Sequence, residues 1–150
     1  MKIRTDYVTN SSSSSFILGF NNKEDISDVV NELPSYWAED VKDSIVYDIE
    51  NGITTKEEAL ELYRDCMWTS SWKFNGRDYW DLTKEERESA EYKKFIKDYE
   101  DKLCKELEDK LNEYDIVSIV EYEDHYPLGS ELEHNIMPYL DCNLERISHH

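Results

Sequence analysis

A five-residue run late in the chain, Ile116-Val117-Ser118-Ile119-Val120, constrains the fold more than any other feature of the sequence. Four of the five residues are apolar and β-branched, which favours a β-strand. Apolar side chains occupy neighbouring positions, so both faces of such a strand are apolar and both must be covered. The run therefore predicts a central strand in a sheet, with other elements packed around it.

Two further strands and about five helices are predicted around this strand. Residues 15–20 form a short apolar run, and residues 143–148 alternate enough to suggest a final strand. Each predicted helix follows a residue whose side chain can cap the first turn. The predicted caps are Asn22, Ser35, Thr55, Thr83 and Ser130.

The longest helix is predicted over residues 84–113, where apolar side chains recur at helical spacing. Gly52 is predicted to end the helix that Ser35 caps, in a left-handed conformation. Asn75-Gly76 is predicted to form a tight turn. The sum is an α+β fold with about five helices around a sheet of three to five strands. We expect one acidic domain over residues 1–150, with residues 1–14 as a polar, Ser-rich segment.

Charge is the second strong constraint. The chain has 35 acidic and 17 basic residues and a net charge of −18. Such a charge repels nucleic-acid phosphates and anionic lipid headgroups, and it attracts basic surfaces. We therefore expect a basic protein partner and no direct binding of nucleic acid; the alternative is that the acidity serves solubility alone. No apolar stretch is long enough for a membrane span, and a cytoplasmic location is expected.

Acidic residues are concentrated in two blocks, 24–50 and 113–145, which together are the predicted contact face. Aromatic residues are dense between Trp68 and Trp80, either as a plug at one end of the core or as anchors for a partner. The residues predicted to bind the partner are Glu39, Asp40, Asp43, Glu121, Glu123, Asp124, Glu131, Glu133, Trp72 and Trp80.

The polar run at residues 9–15 contains five consecutive serines and leads directly into a predicted strand. Hydroxyls and loop amides can hold a phosphate, although the run lacks the Gly and Lys of a typical phosphate loop. The alternative is a solvated, flexible segment. The residues predicted to bind a ligand are Arg4, Thr9, Asn10, Ser11, Ser12, Ser13 and His149.

The opening Met1-Lys2-Ile3-Arg4-Thr5-Asp6-Tyr7-Val8-Thr9-Asn10, with the Ser run and Phe16, resembles the start of many small bacterial and phage proteins of unknown function. The resemblance covers about 16 of the 150 residues. It implies a small accessory protein of phages or mobile elements, with restriction or CRISPR machinery as reasonable targets. It carries over no catalytic or binding residue.

The four histidines, His125, His134, His149 and His150, all lie near the C-terminal end among carboxylates. Their spacing offers only Glu131 with His134 as a weak pair of metal ligands, so no metal site or cofactor is predicted. The three cysteines lack the spacing of a zinc site or a disulfide framework. A serine of the run with His149 as its base has no supporting motif.

Two functions follow from these features. The first, which the charge favours, is a protein-binding modulator or inhibitor that engages a basic, nucleic-acid-handling partner by imitating nucleic acid. The alternative is a small ligand-binding protein or enzyme, in which the Ser-rich loop and the C-terminal histidines hold a phosphate-bearing or metal-bound ligand. The sequence carries no signature of an enzyme, and the binding protein is the preferred prediction.

Overall fold

A four-stranded antiparallel sheet lies at the centre of the computed structural model, which describes residues 13–149. Its strands are β1 (Ser13–Phe20), β2 (Ile53–Thr54), β3 (Ile116–Glu123) and β4 (Asn143–His149), in the order β2-β3-β1-β4. The prediction of a central strand is confirmed, because β3 lies between β2 and β1. It pairs with β1 from Ser13 opposite Glu123 to Phe20 opposite Ile116.

Six α-helices surround the sheet, so the α+β prediction is confirmed. They are α1 (Lys23–Ser27), α2 (Glu39–Asn51), α3 (Lys56–Asp65), α4 (Lys84–Arg87), α5 (Ala90–Leu111) and α6 (Pro127–Glu131). A π-helical turn, Leu132–Ile136, continues α6. Short 3-10 helices span Asp28–Glu32, Thr69–Ser71, Tyr79–Asp81 and Met137–Tyr139. No helix among residues 13–149 is both long and apolar enough to cross a membrane.

The predicted caps at Asn22 and Thr55 are confirmed, because each side chain accepts a hydrogen bond from an amide in the following turn. Thr83 forms the predicted capping box with Glu86, but the helix it opens ends at Arg87. A second cap, Ser89, starts the long helix α5, which is why the predicted single element over 84–113 was wrong.

Two other predicted helix starts were wrong. Helix α2 begins after Ala38, which has no side-chain cap, rather than after Ser35. Helix α6 begins at Pro127 rather than after Ser130. Proline is well suited to a first helical position, since its fixed φ matches the helix and its missing N–H would have no partner there.

Gly52 corrects a third expectation. Its φ is −88°, so the backbone is not left-handed. A Cβ at this position would lie 2.1 Å from the carbonyl oxygen of Ile119. Glycine is therefore required by the close approach of the chain to β3. Asn75-Gly76, in contrast, is the predicted tight turn, with positive φ at both residues and Phe74 bridged to Arg77.

The sheet separates two layers of unequal character. One face contacts residues 21–52 and 124–142, named here the acidic layer; Phe16, Val120, Ile45 and Leu132 share its core. The other face contacts residues 55–112, named the mixed layer; Ile17, Val117, Ala59 and Leu107 share that core. All nine acids of the block 24–50 thus lie on one side of the sheet, together with four of the nine acids of the block 113–145.

The Ser run enters the sheet earlier than predicted. Strand β1 begins at Ser13, and Ser14 and Ser15 are both buried. The strand predicted from residue 15 therefore begins two residues earlier, because hydroxyl groups on β1 find hydrogen-bond partners among the layers, as described below, and this permits their burial.

Candidate functional site

The surface of the acidic layer is the strongest electrostatic feature of the molecule. Its segments carry 13 acidic residues and 2 basic ones, a net of −11. The mixed layer carries 16 acidic and 12 basic residues, a net of −4. Nine carboxylates of the acidic layer are exposed: Glu24, Asp28, Glu32, Glu39, Asp40, Asp43, Asp48, Glu50 and Asp141.

Ion pairs neutralise the mixed layer far more than the acidic layer. In the mixed layer, Lys94 lies 2.7 Å from Asp98 and Lys105 lies 2.7 Å from Asp109, each one helical turn apart. Arg77 forms a two-pronged pair with Glu86. In the acidic layer, the one Lys pair among the described residues is Lys42 with Glu39, at 3.9 Å.

Three tyrosines of the acidic layer are unusually exposed. Tyr36, Tyr47 and Tyr139 have relative exposures of 82%, 63% and 78%. A tyrosine combines a large apolar ring with a hydroxyl group, and it loses little conformational entropy when it is immobilised by a partner. Tyrosine is among the residues enriched at the centre of protein–protein interfaces.

The predicted partner-binding residues divide between exposed and buried positions. Glu39, Asp40 and Asp43 are exposed along α2, as the prediction requires. Glu121 and Glu123 are exposed on β3, and Glu131 accepts a hydrogen bond from Asn135. Asp124 is half-buried, and Glu133 is fully buried, so the side chain of Glu133 is not on the surface where a partner would bind.

The aromatic residues between Trp68 and Trp80 belong to the mixed layer. Trp72 packs on Tyr99 of α5, with ring centroids 4.5 Å apart, and Phe74 packs on Tyr92 and Phe95. Trp80 is exposed beside Tyr79. These rings cover the N-terminal half of α5, and Trp72 and Trp80 are not brought into the acidic layer.

Glu133 lies at the centre of a polar network at one end of β1. Its Oε1 accepts a hydrogen bond from the Ser14 hydroxyl at 2.9 Å and lies 3.7 Å from the guanidinium of Arg146. Arg146 in turn donates through Nε to the Ser14 hydroxyl at 3.1 Å. A buried carboxylate requires such partners, because burial without them would cost several kcal/mol.

The second oxygen of Glu133 faces two further groups. His134 Nε2 lies 3.4 Å from Glu133 Oε2 and 3.9 Å from Asp124 Oδ2. Within residues 13–149 these three residues are the group of side chains spaced to hold a metal ion. The sequence offered only Glu131 with His134 as a weak pair and predicted no metal site; the side chain of Glu131 accepts a hydrogen bond from Asn135.

His149 lies beside the Ser run, as the ligand-site prediction required, but its partner is Ser15. A hydrogen bond of 2.8 Å joins Ser15 Oγ to His149 Nε2. Ser13 pairs with His149 through the backbones of β1 and β4, so Ser13 lies in a strand and not in a loop. Arg4, Thr9, Asn10, Ser11 and Ser12 lie outside the described residues.

A cavity of about 370 Å³ adjoins His149. It is lined by Asp65, Cys66, Met67, Trp68, Ser148 and His149. Ser15 is only 3% exposed, which keeps its hydroxyl away from a substrate. Burial, together with Asp65 and Glu121, raises the pKa of the Cys66 thiol, so the thiolate needed for nucleophilic attack is disfavoured. The geometry suits ligand binding better than covalent catalysis.

Sequence reasoning missed Ser14, Arg146 and the role of Glu133. Glu133 and His134 are neighbours in the chain, but Ser14 and Arg146 reach them only through the pairing of β1 with β4, in which Phe16 lies opposite Arg146. The sequence places Ser14 next to an apolar strand, which indicates that Ser14 could be buried. It does not indicate which residue accepts the hydrogen bond of its hydroxyl.

Comparisons of the chain with models of protein families, with curated proteins and with solved structures gave no match. The functional argument therefore depends on the surface and the polar groups described above.

Proposed function

We propose that this protein is a binding protein that engages a basic protein surface through its acidic layer. The observation that carries the proposal is the convergence of two acidic segments, separated by more than 70 residues of sequence, on one side of the sheet with a net charge of −11. Nine of the 13 carboxylates of this layer are exposed, and of these nine only Glu39 pairs with a lysine among the described residues, so most of the charge can meet an external partner.

The proposed partner is a nucleic-acid-handling protein, and the proposed effect is inhibition or modulation. A row of carboxylates on helices can occupy a groove that normally holds phosphates, because both present closely spaced negative charge to Lys and Arg. The exposed rings of Tyr36, Tyr47 and Tyr139 would add apolar contact area, as anchors do in other interfaces. The resemblance of the N-terminal residues to small phage and bacterial proteins supports a target in defence machinery, and the three free thiols suit the cytoplasm.

The test compares two variants that lose the same charge. In the first, Glu39→Gln, Asp40→Asn and Asp43→Asn neutralise exposed acids of α2; in the second, Glu57→Gln, Glu61→Gln and Glu91→Gln neutralise exposed acids of the mixed layer. Each is used as bait in native lysate, and captured proteins are identified by mass spectrometry. We expect basic proteins to be captured by the second bait and lost from the first.

The affinity for a captured protein is then measured at rising ionic strength. Charge-driven association weakens as salt screens the surfaces, so Kd should increase at least tenfold between about 50 and 300 mM salt. An affinity independent of salt, or equal losses with both variants, contradicts the proposal.

The cavity beside His149 supports a second candidate, a small-ligand-binding protein. Its observation is the exposed Trp68 ring next to His149 and the Ser148 hydroxyl, a combination that suits a planar or phosphate-bearing ligand. Thermal-shift measurements with nucleotides and sugar phosphates test it. A shift that is lost in Trp68→Ala and retained in Trp80→Ala, the matched exposed tryptophan, supports this candidate; a shift that survives Trp68→Ala contradicts it.

A further inference from the structure

The polar network around Glu133, at the end of β1, brings together three side chains that are typical metal ligands. The candidate ligand atoms of Asp124, Glu133 and His134 all lie within 4.8 Å of one another. Tetrahedral zinc with bonds of about 2.1 Å places its ligand atoms roughly 3.4 Å apart. The separations of 3.4 and 3.9 Å from His134 Nε2 to the two carboxylates are close to that value.

Ser14 and Arg146 fix the orientation of the Glu133 carboxylate. Its Oε1 is held by the Ser14 hydroxyl and by the charge of Arg146, and this arrangement turns Oε2 toward His134 and Asp124. Ligand carboxylates in metal sites are commonly held by hydrogen bonds of this kind, which orient the ligating oxygen and reduce its reorganisation on binding. Ser14 has therefore a positioning role that explains a serine in the buried part of a strand.

The backbone around the two adjacent ligands is irregular. Glu133 and His134 lie in the π-helical turn Leu132–Ile136, between α6 and a 3-10 helix. In a π-helical turn each hydrogen bond joins residues five positions apart instead of four, and such turns are frequent at functional sites. The turn buries Glu133 completely while its neighbour His134 remains 42% exposed, so a metal would be reachable from solvent.

The charges and donor types define the ion. Two carboxylates supply oxygen ligands for a divalent cation, with Arg146 offsetting part of their charge, while one imidazole nitrogen favours a transition metal over Mg²⁺ or Ca²⁺. Three protein ligands leave a fourth position for water or for a group of a bound partner. We infer that Asp124, Glu133 and His134 form a binding site for a divalent transition-metal ion of the zinc type, with Ser14 and Arg146 as positioning residues. This inference is independent of the proposed protein-binding function.

The test uses the full chain after treatment with a chelator. Cobalt(II) is added first, because tetrahedral coordination gives it an intense visible absorption, and zinc binding is then measured by calorimetry and by displacement of cobalt. We expect one ion per chain and the tetrahedral cobalt spectrum. Absence of both the spectrum and measurable zinc binding overturns the inference.

Variants assign the site. His134→Ala and Asp124→Asn should weaken zinc binding at least tenfold. The matched control is His125→Ala, since His125 is also an exposed histidine next to a carboxylate, at 2.8 Å from Glu123, but lies outside the group. The control should bind zinc as the unchanged chain does. Binding that is lost in His125→Ala or in His149→Ala/His150→Ala, and retained in His134→Ala, overturns the assignment.

Ser14→Ala tests the positioning role. Loss of a hydrogen bond to a ligand carboxylate typically weakens metal binding about 10- to 100-fold. We expect a loss in this range together with an altered cobalt spectrum, a change that lowered stability alone would not produce. Ser14→Thr, which keeps the hydroxyl, should restore the spectrum. If Ser14→Ala leaves zinc affinity and spectrum unchanged, Ser14 has no such role.

Discussion

The acidic layer and the mixed layer pack on the two faces of the same sheet, but they differ in how many of their carboxylates form ion pairs. In the mixed layer, bases alternate with acids along α5, and ion pairs form within the layer. In the acidic layer, α2 carries no base in its last turn and its carboxylates face solvent. The mixed layer therefore neutralises much of its charge internally, whereas most carboxylates of the acidic layer have no lysine or arginine partner among the described residues.

The layers also differ in how they are attached. The acidic layer is tied to β3 by polar and backbone contacts: Ser118 donates to the Ile49 carbonyl, and Tyr122 donates to Asp48. The mixed layer is attached through apolar side chains: Ala59, Leu107 and Leu111 pack on Ile17 and Val117 of the sheet. The charge of the acidic layer is thus carried partly by α2, which is joined to β3 by these hydrogen bonds and by a shared apolar core.

The largest predicted effect concerns that attachment. Gly52→Ala places a Cβ 2.1 Å from a backbone oxygen of β3, so α2 must move away from the sheet. We expect a loss of roughly 4 kcal/mol in the free energy of unfolding, measured by urea denaturation. Gly76→Ala is the control in the mixed layer: no atom lies within 4 Å of its Cβ, but its φ of +77° is unfavourable, so about 1 kcal/mol is expected. Equal losses of unfolding free energy in the two variants would show that the close approach at Gly52 is no more costly than the positive φ at Gly76.

The second prediction separates buried from exposed charge within the acidic layer. Glu133→Ala leaves Ser14 without its acceptor and Arg146 without its carboxylate, and we expect a loss of about 2 kcal/mol in the free energy of unfolding. Glu131→Ala removes a more exposed carboxylate two residues away, and a small change is expected. Urea denaturation of both variants measures the difference. A larger loss with Glu131→Ala would show that the network is unimportant for stability.

The third prediction compares the ends of the two main helices. Glu50, in the last turn of α2, lies near the negative end of the helix dipole, whereas Lys110 holds the equivalent place in α5. Glu50→Gln should therefore raise Tm by about 1–2 °C, and Lys110→Gln should lower it by a similar amount. Both shifts should diminish in high salt, because salt screens the dipole interaction. Shifts of the same sign would contradict the comparison.

The smallest predicted effect concerns pH. Burial raises the pKa of Glu145 on β4, although nearby Lys110 partly offsets this, while the hydrogen bond from Arg77 lowers the pKa of Glu86. A raised carboxyl pKa means that ionisation costs stability as pH rises, so Glu145→Gln should be slightly more stable than the unchanged chain at neutral pH. Glu86→Gln should be slightly less stable there, because it removes an ionised carboxylate that stabilises the folded chain. In the unchanged chain this stabilisation is lost as pH falls through the lowered pKa of Glu86.

Both differences should disappear once the carboxyls are protonated: for Glu145 below about pH 4, the ordinary range of Glu, and for Glu86 at lower pH still. Thermal denaturation across pH 3–8 measures them. A Glu145→Gln advantage that grows toward acid pH would reverse the assigned sign.

Local patterns were sufficient for much of the fold. The apolar run at 116–120 placed the central strand, and Asn22, Thr55 and Thr83 marked true helix caps. The same kind of reasoning failed where two caps competed, since Ser89 divided the predicted long helix. It also failed where a tertiary contact replaced a local rule, since Gly52 serves a close approach and not a left-handed turn.

The sequence by itself determined the total charge, the two acidic blocks and the periodic apolar faces, because each is a property of residues close together in the chain. Only the tertiary structure decided that residues 124–142 join residues 21–52 on one side of the sheet, and that Ser14, Glu133 and Arg146 meet. The physical reason is that strand order and register are set by the packing of both sheet faces together. Residues more than 100 positions apart become neighbours through that packing, and no local pattern encodes it.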